Sequence, residues 1–495
     1  MRRALASLAA LALGACTVGP NYAPPQTPTP GAYQETAARP AAPLSATTAA
    51  PSDLAAWWTR FHDPTLESLV SRALAGNLDV ATAVSRIRQA REQVVIARAA
   101  ALPQVNADVN VNNTLLSKNA GLTSLAGLFR GGAGGSGLQS AGVGLPGTDF
   151  TTYSAGFDAS WELDLFGQTR RSVEAAQGRA EAQAWSLRDT EVSVASEVAV
   201  DYLVLRALQQ QNLVDQQEAR RQQQLLDLVA ARHAAGYATD LDVAQQRSQL
   251  AISQAATPTL EAAARGQIHA LGVLVGQPPE ALSAELTPPA ASPAVPPEVP
   301  VGLPAELLRR RPDIRAAERN LAAATADVGV AVGQLYPQIN LTSSADLISS
   351  SLKNLISADS LQTEATAALV QHIFDGGRIR ANIRATEEAR QQAYYAYEKT
   401  VLGALKDVED ALARYAAEQR RNAQLRTAAD ASRKAYHVAE ARYQSGLSDF
   451  INVLDAEGQL FAAEDRLAQS DGQLGQDLVS LYKALGGGWT DERQG

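Results

Sequence analysis

The sequence repeats itself, and this repeat limits the possible folds more than any other feature. Identical residues recur in the two halves at one spacing: Gly236 and Gly446, Leu250 and Leu460, Leu271 and Leu481, and Gly276 and Gly486. We predict a first repeat over residues 64–276 and a second over residues 304–486. The Pro-rich residues 277–303 form a linker that cannot continue a helix, and residues 487–495 form a C-terminal tail.

Each repeat has the same order of predicted elements: a helix, two strands and a long helical hairpin. The predicted helices lie at 64–101, 168–235, 238–276, 304–335, 378–445 and 448–486. The two longest would each extend about 100 Å. Gly236 and Gly446 end them, as glycine does at a helix C-terminus. Two shorter helices placed end to end would match one long helix, which predicts antiparallel packing.

The predicted strands alternate between apolar and polar residues. In the clearest one, Phe157 and Trp161 lie on one face, and Asp158 and Glu162 lie on the other. This period of two is typical of a strand between two different environments. A soluble sandwich is one interpretation. A membrane barrel needs at least eight strands and a closed edge. Two copies of a four-stranded chain would give eight strands, whose interior side chains just fill the barrel. Three copies would give twelve strands and room for a polar channel, so we predict a homotrimer that shares a twelve-stranded barrel.

The single cysteine, Cys16, ends a short apolar N-terminal run. Two arginines precede that run, which is too short to span a bilayer and is typical of a signal peptide. We predict a lipoprotein signal peptide at residues 1–15, diacylglyceryl and N-acyl lipid on Cys16, and a lipidated extended segment at 16–63. Thr17 stands where an Asp would favour the inner membrane, so the outer membrane is expected.

The composition argues against several other classes of protein. The formal net charge of −9 offers no basic surface to a nucleic acid. The five histidines are scattered without the spacing of metal ligands, so no metal site is expected. The sequence has neither a Gly-x-Ser-x-Gly elbow nor a phosphate-binding loop. We therefore expect no enzyme activity and no cofactor apart from the covalent lipid.

Several short motifs together identify a family. They are CTVGPNY at 16–22, WWTRFHDP at 57–64, WELDLFG at 161–167, RPDIR at 311–315, FDGGR at 374–378 and LYKALGGGW at 481–489. The chain resembles the TolC-like outer-membrane efflux channels, and most closely their lipoprotein branch, the NodT-type outer membrane factors of resistance-nodulation-division efflux systems. The resemblance implies a mixed α/β membrane protein, in which a trimeric twelve-stranded outer-membrane β-barrel continues into a long periplasmic α-helical barrel with an internal two-fold repeat.

The resemblance also implies a function and partners. The protein would be a passive conduit that exports small molecules, such as drugs, toxic compounds or metal ions, across the outer membrane. Energy would come from an inner-membrane resistance-nodulation-division pump through a periplasmic adaptor, the membrane fusion protein. Two alternatives remain open at this point. One is the outlet of a protein-secretion system, and the other is a non-conducting, lipid-anchored coiled-coil spacer in the periplasm.

The turns between the long helices and their return helices are predicted to form the periplasmic tips. In relatives such tips contact the adaptor. The predicted contact residues are Gly236 and Tyr237 in the first tip, and Gly446, Leu447, Ser448 and Asp449 in the second.

The resemblance places a periplasmic gate beside these tips. Asp455 matches an acidic residue that points into the closed tunnel of relatives, whereas the neighbouring acidic position is Asn452 here. Asp242 and Tyr443 match a pair that hydrogen-bonds between neighbouring hairpins in some relatives. An arginine that supports this lock in those relatives is replaced by Ser448, so a weaker or different lock is expected. Solvated helix surface is the alternative interpretation of Asp455 and Asp242.

Overall fold

The protein is described by a computed structural model that covers residues 17–35, 46–48, 54–115 and 149–490. Within these ranges the chain forms two compact units. The sheet unit contains residues 17–22, 92–115, 149–177 and 322–390, and the helical unit contains residues 23–35, 46–48, 54–91, 178–321 and 391–490. The predicted signal peptide, Cys16 and residues 491–495 of the predicted tail lie outside the described residues.

The first repeat follows a short strand and a 3-10 helix, β1 (Ala46–Thr48) and Trp57–Phe61. Its elements are α1 (Pro64–Gly76), α2 (Leu78–Ala99), β2 (Gln104–Leu115), β3 (Asp149–Leu163), α3 (Gln168–Ala234) and α4 (Asp240–Leu274).

The linker contains two short elements, α5 (Ser283–Leu286) and β4 (Glu298–Pro300). The second repeat then has α6 (Pro304–Arg310), α7 (Pro312–Gly333), β5 (Gln338–Ser349), β6 (Leu361–Val370), α8 (Arg378–Gln444) and α9 (Phe450–Ala484). Two 3-10 turns, Leu352–Asn354 and Ala358–Ser360, lie between β5 and β6.

The bounds of α3 and α8 confirm the predicted long helices to within one residue at each end, whereas α4 and α9 are two residues shorter at each end than predicted. Helices α3 and α8 have 67 residues each, and α4 and α9 have 35 residues each. The predicted single helices at 64–101 and 304–335 are wrong, because each is broken. Asn77 ends α1, and its Oδ1 accepts the Asp79 backbone N–H at 2.8 Å, which starts α2. Arg311 precedes Pro312 and is extended (φ −75°, ψ 121°), as residues before proline prefer.

The sequence also missed a small parallel pairing in the helical unit. Strand β1 pairs with β4, with Thr47 opposite Val299. The predicted extended segment and the Pro-rich linker therefore contain regular structure. Three-residue strands give too little alternation to be recognised from sequence.

The sheet unit contains a four-stranded antiparallel sheet in the order β2-β3-β5-β6. The pairing of β3 with β5 joins strands of the two repeats. The register puts the odd-numbered residues of all four strands on one face, since Val109 lies opposite Ala155, Ala155 opposite Leu347, and Leu347 opposite Leu361. The predicted alternation is confirmed: one face of the sheet is mostly apolar and the other mostly polar. Among the described residues, the outer edges of β2 and β6 are unpaired.

The main core of the helical unit surrounds Trp57, which is fully buried and stacks on Tyr482 with ring centroids 5.2 Å apart. A second apolar cluster lies between the long helices and consists of Leu225, Val229, Tyr436, Tyr443, Phe450, Val453 and Leu460. Among the described residues, each helix is too short or too polar to cross a bilayer by itself.

Candidate functional site

The polar face of the sheet is acidic. We call this surface the acidic face, and its carboxylates belong to Asp108, Asp158, Glu162, Asp346 and Glu364. The four strands contain no Lys or Arg, so no basic residue within the strands neutralises these carboxylates. Such a surface concentrates cations next to it.

Neighbouring side chains hold parts of the acidic face in place. Asn106 Nδ2 donates to Asp158 Oδ2 at 2.9 Å, and Asn110 Nδ2 donates to Asp108 Oδ2 at 2.6 Å. Gly156 lies between Asp108 and Asp346 in the register. A Cβ at Gly156 would collide with the Asp346 carboxylate and lie 2.7 Å from Asp346 Cα. The glycine therefore makes room for the Asp346 side chain on the polar face.

Aromatic and apolar residues gather where the strands meet the helices of the sheet unit. Phe166 stacks on Tyr336 with centroids 4.8 Å apart, and Trp161 Nε1 donates to Ala101 O at 2.9 Å. Ile373 and Phe374, just after β6, are 90% and 92% exposed. Aromatic side chains of this kind are enriched where a membrane protein passes from hydrocarbon to water.

The segment that follows Cys16 binds at this same place. Val18 N donates to Phe166 O at 3.1 Å. The buried guanidinium of Arg171 donates from Nε to Val18 O at 3.1 Å and from Nη2 to Asn21 Oδ1 at 2.6 Å. Thr17, the residue next to the predicted lipidation site, packs against Gly167 at the start of α3.

A glycine contact makes this fit close. Gly19 has φ +87°, and a Cβ there would collide with Gly329 Cα. A Cβ at Gly329 would in turn lie 2.8 Å from the Cγ and Cδ atoms of Arg171. The sequence motif at 16–22 therefore has a physical basis, because only glycine allows the segment to lie against α7 and beneath Arg171.

The two predicted tips have the same backbone design. In the first, Tyr237 N donates to Arg232 O at 2.8 Å and Gly236 N donates to His233 O. In the second, Leu447 N donates to Arg442 O at 2.9 Å and Gly446 N donates to Tyr443 O. These bonds form a Schellman motif, which needs the positive φ values of Gly236 (79°) and Gly446 (72°).

Each tip presents one large, exposed side chain directly after its glycine. Tyr237 is 82% exposed and Leu447 is 71% exposed. In the second tip Asn452 Nδ2 donates to Ser448 Oγ at 3.3 Å, and the Ser448 hydroxyl donates to Asp449 O. The predicted tip residues are thus brought together within each turn, and their contact with an adaptor stays a prediction.

The two tips differ in the side-chain contacts that stabilise the turn. In the first, the His233 imidazole lies 3.1 Å from the Asp240 carboxylate. In the second, the rings of Tyr443 and Phe450 are 5.3 Å apart. The Arg232 guanidinium lies 4.2 Å from the centroid of the Tyr443 ring and donates to Gln444 O at 3.1 Å, so it links the two hairpins.

The predicted gate residues have different environments. Asp455 and Asn452 are exposed on α9. Asp242 Oδ2 accepts from the N–H and hydroxyl of Thr239 at 2.8 Å each, and Thr239 Oγ1 accepts from Asp242 N. Asp242 is therefore half of a capping box that starts α4. The sequence reasoning missed this role, although the Thr-x-x-Asp spacing could have revealed it.

Tyr443 is buried and contacts Phe450 and Arg232. Within a single chain, the described structure has no hydrogen bond between Asp242 and Tyr443. The bond proposed from the resemblance would join neighbouring hairpins, and it stays a prediction.

The structure also contains a buried carboxylate pair that the sequence did not reveal. Glu218 of α3 and Glu457 of α9 are each 3% exposed. Gln222 Nε2 donates to Glu218 Oε1 at 2.5 Å and to Glu457 Oε2 at 2.6 Å. Burial raises the pKa of Glu457 to about 9, and a hydrogen bond with Glu218 and its like charge add to this effect. The two residues are far apart in the sequence, so no local spacing predicts the pair.

The family follows from comparison with known proteins. The sequence profile of the family described as "Outer membrane efflux protein" matches residues 69–277 and 303–487, which is most of the chain. The chain belongs to this family, and it is an outer-membrane efflux channel of the TolC-like type. The family consists of transport channels rather than enzymes.

Named relatives match nearly the whole chain. The pyoverdine export outer membrane protein OpmQ of Pseudomonas aeruginosa is 34% identical over 90% of this chain and 90% of its own length. Nodulation protein T of Rhizobium leguminosarum bv. viciae is 30% identical over 98% of this chain and 94% of its own. The solved outer-membrane channel OprN is 33% identical and superposes with a TM-score of 0.84 over 96% of this chain and 100% of that channel.

Proposed function

We propose that three copies of this chain form one channel, with a shared twelve-stranded β-barrel and a periplasmic helical barrel. The observation that carries this proposal is the four-stranded sheet with one apolar face and, among the residues that the structure describes, two unpaired edges. Unpaired edges are untenable in lipid, so β2 of one copy would pair with β6 of the next. Twelve strands would leave the acidic face around a water-filled lumen.

The N-terminal segment supports a lipid anchor on Cys16. Thr17 and Val18 contact Gly167 and Phe166, beside the aromatic residues where strands give way to helices. Cys16 would therefore start at the inner boundary of the outer membrane, where its acyl chains enter the periplasmic leaflet. Two or more acyl chains give stable membrane anchoring.

The channel would export small molecules delivered by a resistance-nodulation-division pump through a periplasmic adaptor. One relative is named for pyoverdine export, and the acidic face favours cationic cargo such as drugs or metal ions. The adaptor would bind the tips, where Tyr237 and Leu447 are exposed, and Leu447 lines a groove together with Val438 and Arg442. Closure of the tunnel would involve the acidic ring of Asp455.

Single-particle imaging of the purified, lipidated protein in detergent tests the assembly. The lengths of α3 and α8 predict a threefold tube that is at least about 100 Å long and ends in a short barrel. A monomeric or solid rod would contradict the shared barrel and would favour the periplasmic spacer.

A pair of adjacent substitutions tests which face of the sheet meets lipid. Phe157→Lys would put a charge in the hydrocarbon at a cost of about 2–4 kcal/mol near the midplane, so less trimer should reach the outer membrane. Asp158→Lys is the matched control on the opposite face, and it should preserve assembly while reducing cation preference in bilayer recordings. Equal assembly of the two variants would contradict the proposed orientation.

A further inference from the structure

Two uncharged glutamine side chains link the buried carboxylate pair, Glu218 and Glu457, to one another and to a third helix. Gln222, on α3, donates both of its amide hydrogens, one to each carboxylate. Gln246, on α4, donates to Gln222 O at 2.8 Å and to Gln222 Oε1 at 2.5 Å. The pair on α3 and α9 is thus connected to α4 through a continuous set of hydrogen bonds.

Positive charge around the pair is insufficient to balance it. Arg221 lies 3.0 Å from Glu218, 3.8 Å from Glu457 and 3.1 Å from Glu464. Arg433 of α8 lies 2.8 Å from Glu464 and 3.1 Å from the exposed Asp430. Three largely buried carboxylates therefore share two guanidinium groups, which leaves one negative charge to be neutralised.

The other titratable groups near the pair are three carboxylates, which add to this imbalance, and one phenol. Those that act on Glu218, Glu457 or their surroundings are Asp215 on α3, Tyr436 and Glu440 on α8, and Asp465 on α9. Burial and the nearby carboxylates raise the pKa of Tyr436 to about 12, so this phenol is neutral at physiological pH. Helix α4 contributes the uncharged amide of Gln246.

We propose that Glu218 and Glu457 share a single proton at neutral pH, and that this proton stabilises the packing of α3, α4 and α9 near the hairpin tips. Two buried carboxylates in one site cannot both be ionised without strong repulsion. Loss of the proton would favour separation of these three helices around Glu218 and Glu457. The inference concerns the folded helical unit and does not depend on conduction or on the trimer.

The carboxylate pair lies close to the base of both tips, so its protonation state should affect how the tips are packed. Glu457 lies on α9 between Val453 and Leu460, which belong to the second apolar cluster with Tyr443 and Phe450. Gln246 is one helical turn from the capping residue Asp242 on α4. Packing at the pair is therefore continuous with packing at the base of both tips.

The sign of the pH effect follows from the direction of the shift. The pKa of Glu457 is higher in the folded protein than the ordinary value of 4.5. The folded helices keep a proton that an exposed carboxyl would lose. The stabilising effect is complete below the ordinary pKa and is lost progressively as the pH rises towards the folded pKa of about 9.

Infrared titration of the purified full chain tests the shared proton directly. A protonated carboxylic C=O band should persist above pH 7 in the wild type and should be lost in Glu457→Gln. Asp227→Asn is the matched control, since Asp227 is an exposed carboxylate on α3 that accepts from Gln223 at 2.9 Å. This control should retain the band. Absence of the band in the wild type, or its survival in Glu457→Gln, would overturn the proposal.

Hydrogen exchange tests the packing effect. After correction for intrinsic exchange, opening of α3 and α9 near Glu218 and Glu457 should increase about tenfold per pH unit, as expected for one linked proton. Glu457→Gln keeps a neutral side chain and should make opening independent of pH. If that variant does not fold, Glu218→Gln gives the same expectation. An unchanged pH dependence in the folded variant would refute the proposal, whereas failure to conduct would contradict only the channel function.

Discussion

Replacing Gly19 with alanine should detach the N-terminal segment from the sheet unit. The segment follows the predicted lipidation site, and its position depends on a close approach between Gly19 and Gly329. Alanine brings two problems there. Its Cβ collides with the backbone at Gly329 Cα, which cannot rotate away, and its backbone must adopt the left-handed φ of +87°.

The size of the effect can be estimated from these two costs. A left-handed conformation costs an L-residue roughly 1–2 kcal/mol, and overpacking costs about 1–3 kcal/mol. The combined cost of about 2–5 kcal/mol corresponds to an opening equilibrium roughly 30-fold to several thousand-fold larger. The bonds from Arg171 to Val18 O and Asn21 Oδ1 would be exchanged for water when the segment leaves.

Hydrogen exchange of the Val18 amide measures this opening, because that amide donates to Phe166 O at 3.1 Å. Peptides that cover residues 17–22 should exchange faster in Gly19→Ala by the factor given above. Gly31→Ala is the matched control, since Gly31 lies in the same segment and a Cβ there meets no atom within 4 Å. Equal Val18 exchange in the two variants would refute the argument that the glycine contact holds the segment.

Two further predictions concern the gate. Asp455→Ala should lower the cation preference in bilayer recordings, because it removes an exposed carboxylate from each copy; unchanged selectivity would exclude Asp455 from the gate. Asp242→Ala should raise the open fraction of the channel. Thr239→Ala is its control, because it removes the same cap, worth about 1 kcal/mol, and leaves the Asp242 carboxylate. An equal rise in both variants would assign the effect to the cap of α4 rather than to a lock with Tyr443.

The sheet and the long helices were predictable because their patterns are local and long. Strand β3 alternates over its whole length, and α3 and α8 each end at a glycine that the Schellman turn requires. The breaks in the shorter helices were missed. At Asn77, for example, the side chain replaces a backbone acceptor. An isolated Asn in a helical pattern does not by itself predict such a helix break.

The candidate site was only partly predictable. The tip residues follow from the paired glycines, and both turns have the predicted positions. The capping role of Asp242 can be predicted from its spacing of three residues from Thr239. The buried position of Tyr443 under Arg232 has no such local signal, because the two residues come from different hairpins.

The sequence alone determined the repeat, the amphipathic strands, the long hairpins and the family, because these depend on periodicity and on short motifs along the chain. Only the tertiary structure decided that carboxylates from all four strands lie on one sheet face, how Gly19 and Arg171 hold the N-terminal segment, and that Gln222 bridges Glu218 and Glu457. These contacts join residues far apart in the chain. Their burial and charge balance arise only after the helices and strands have packed.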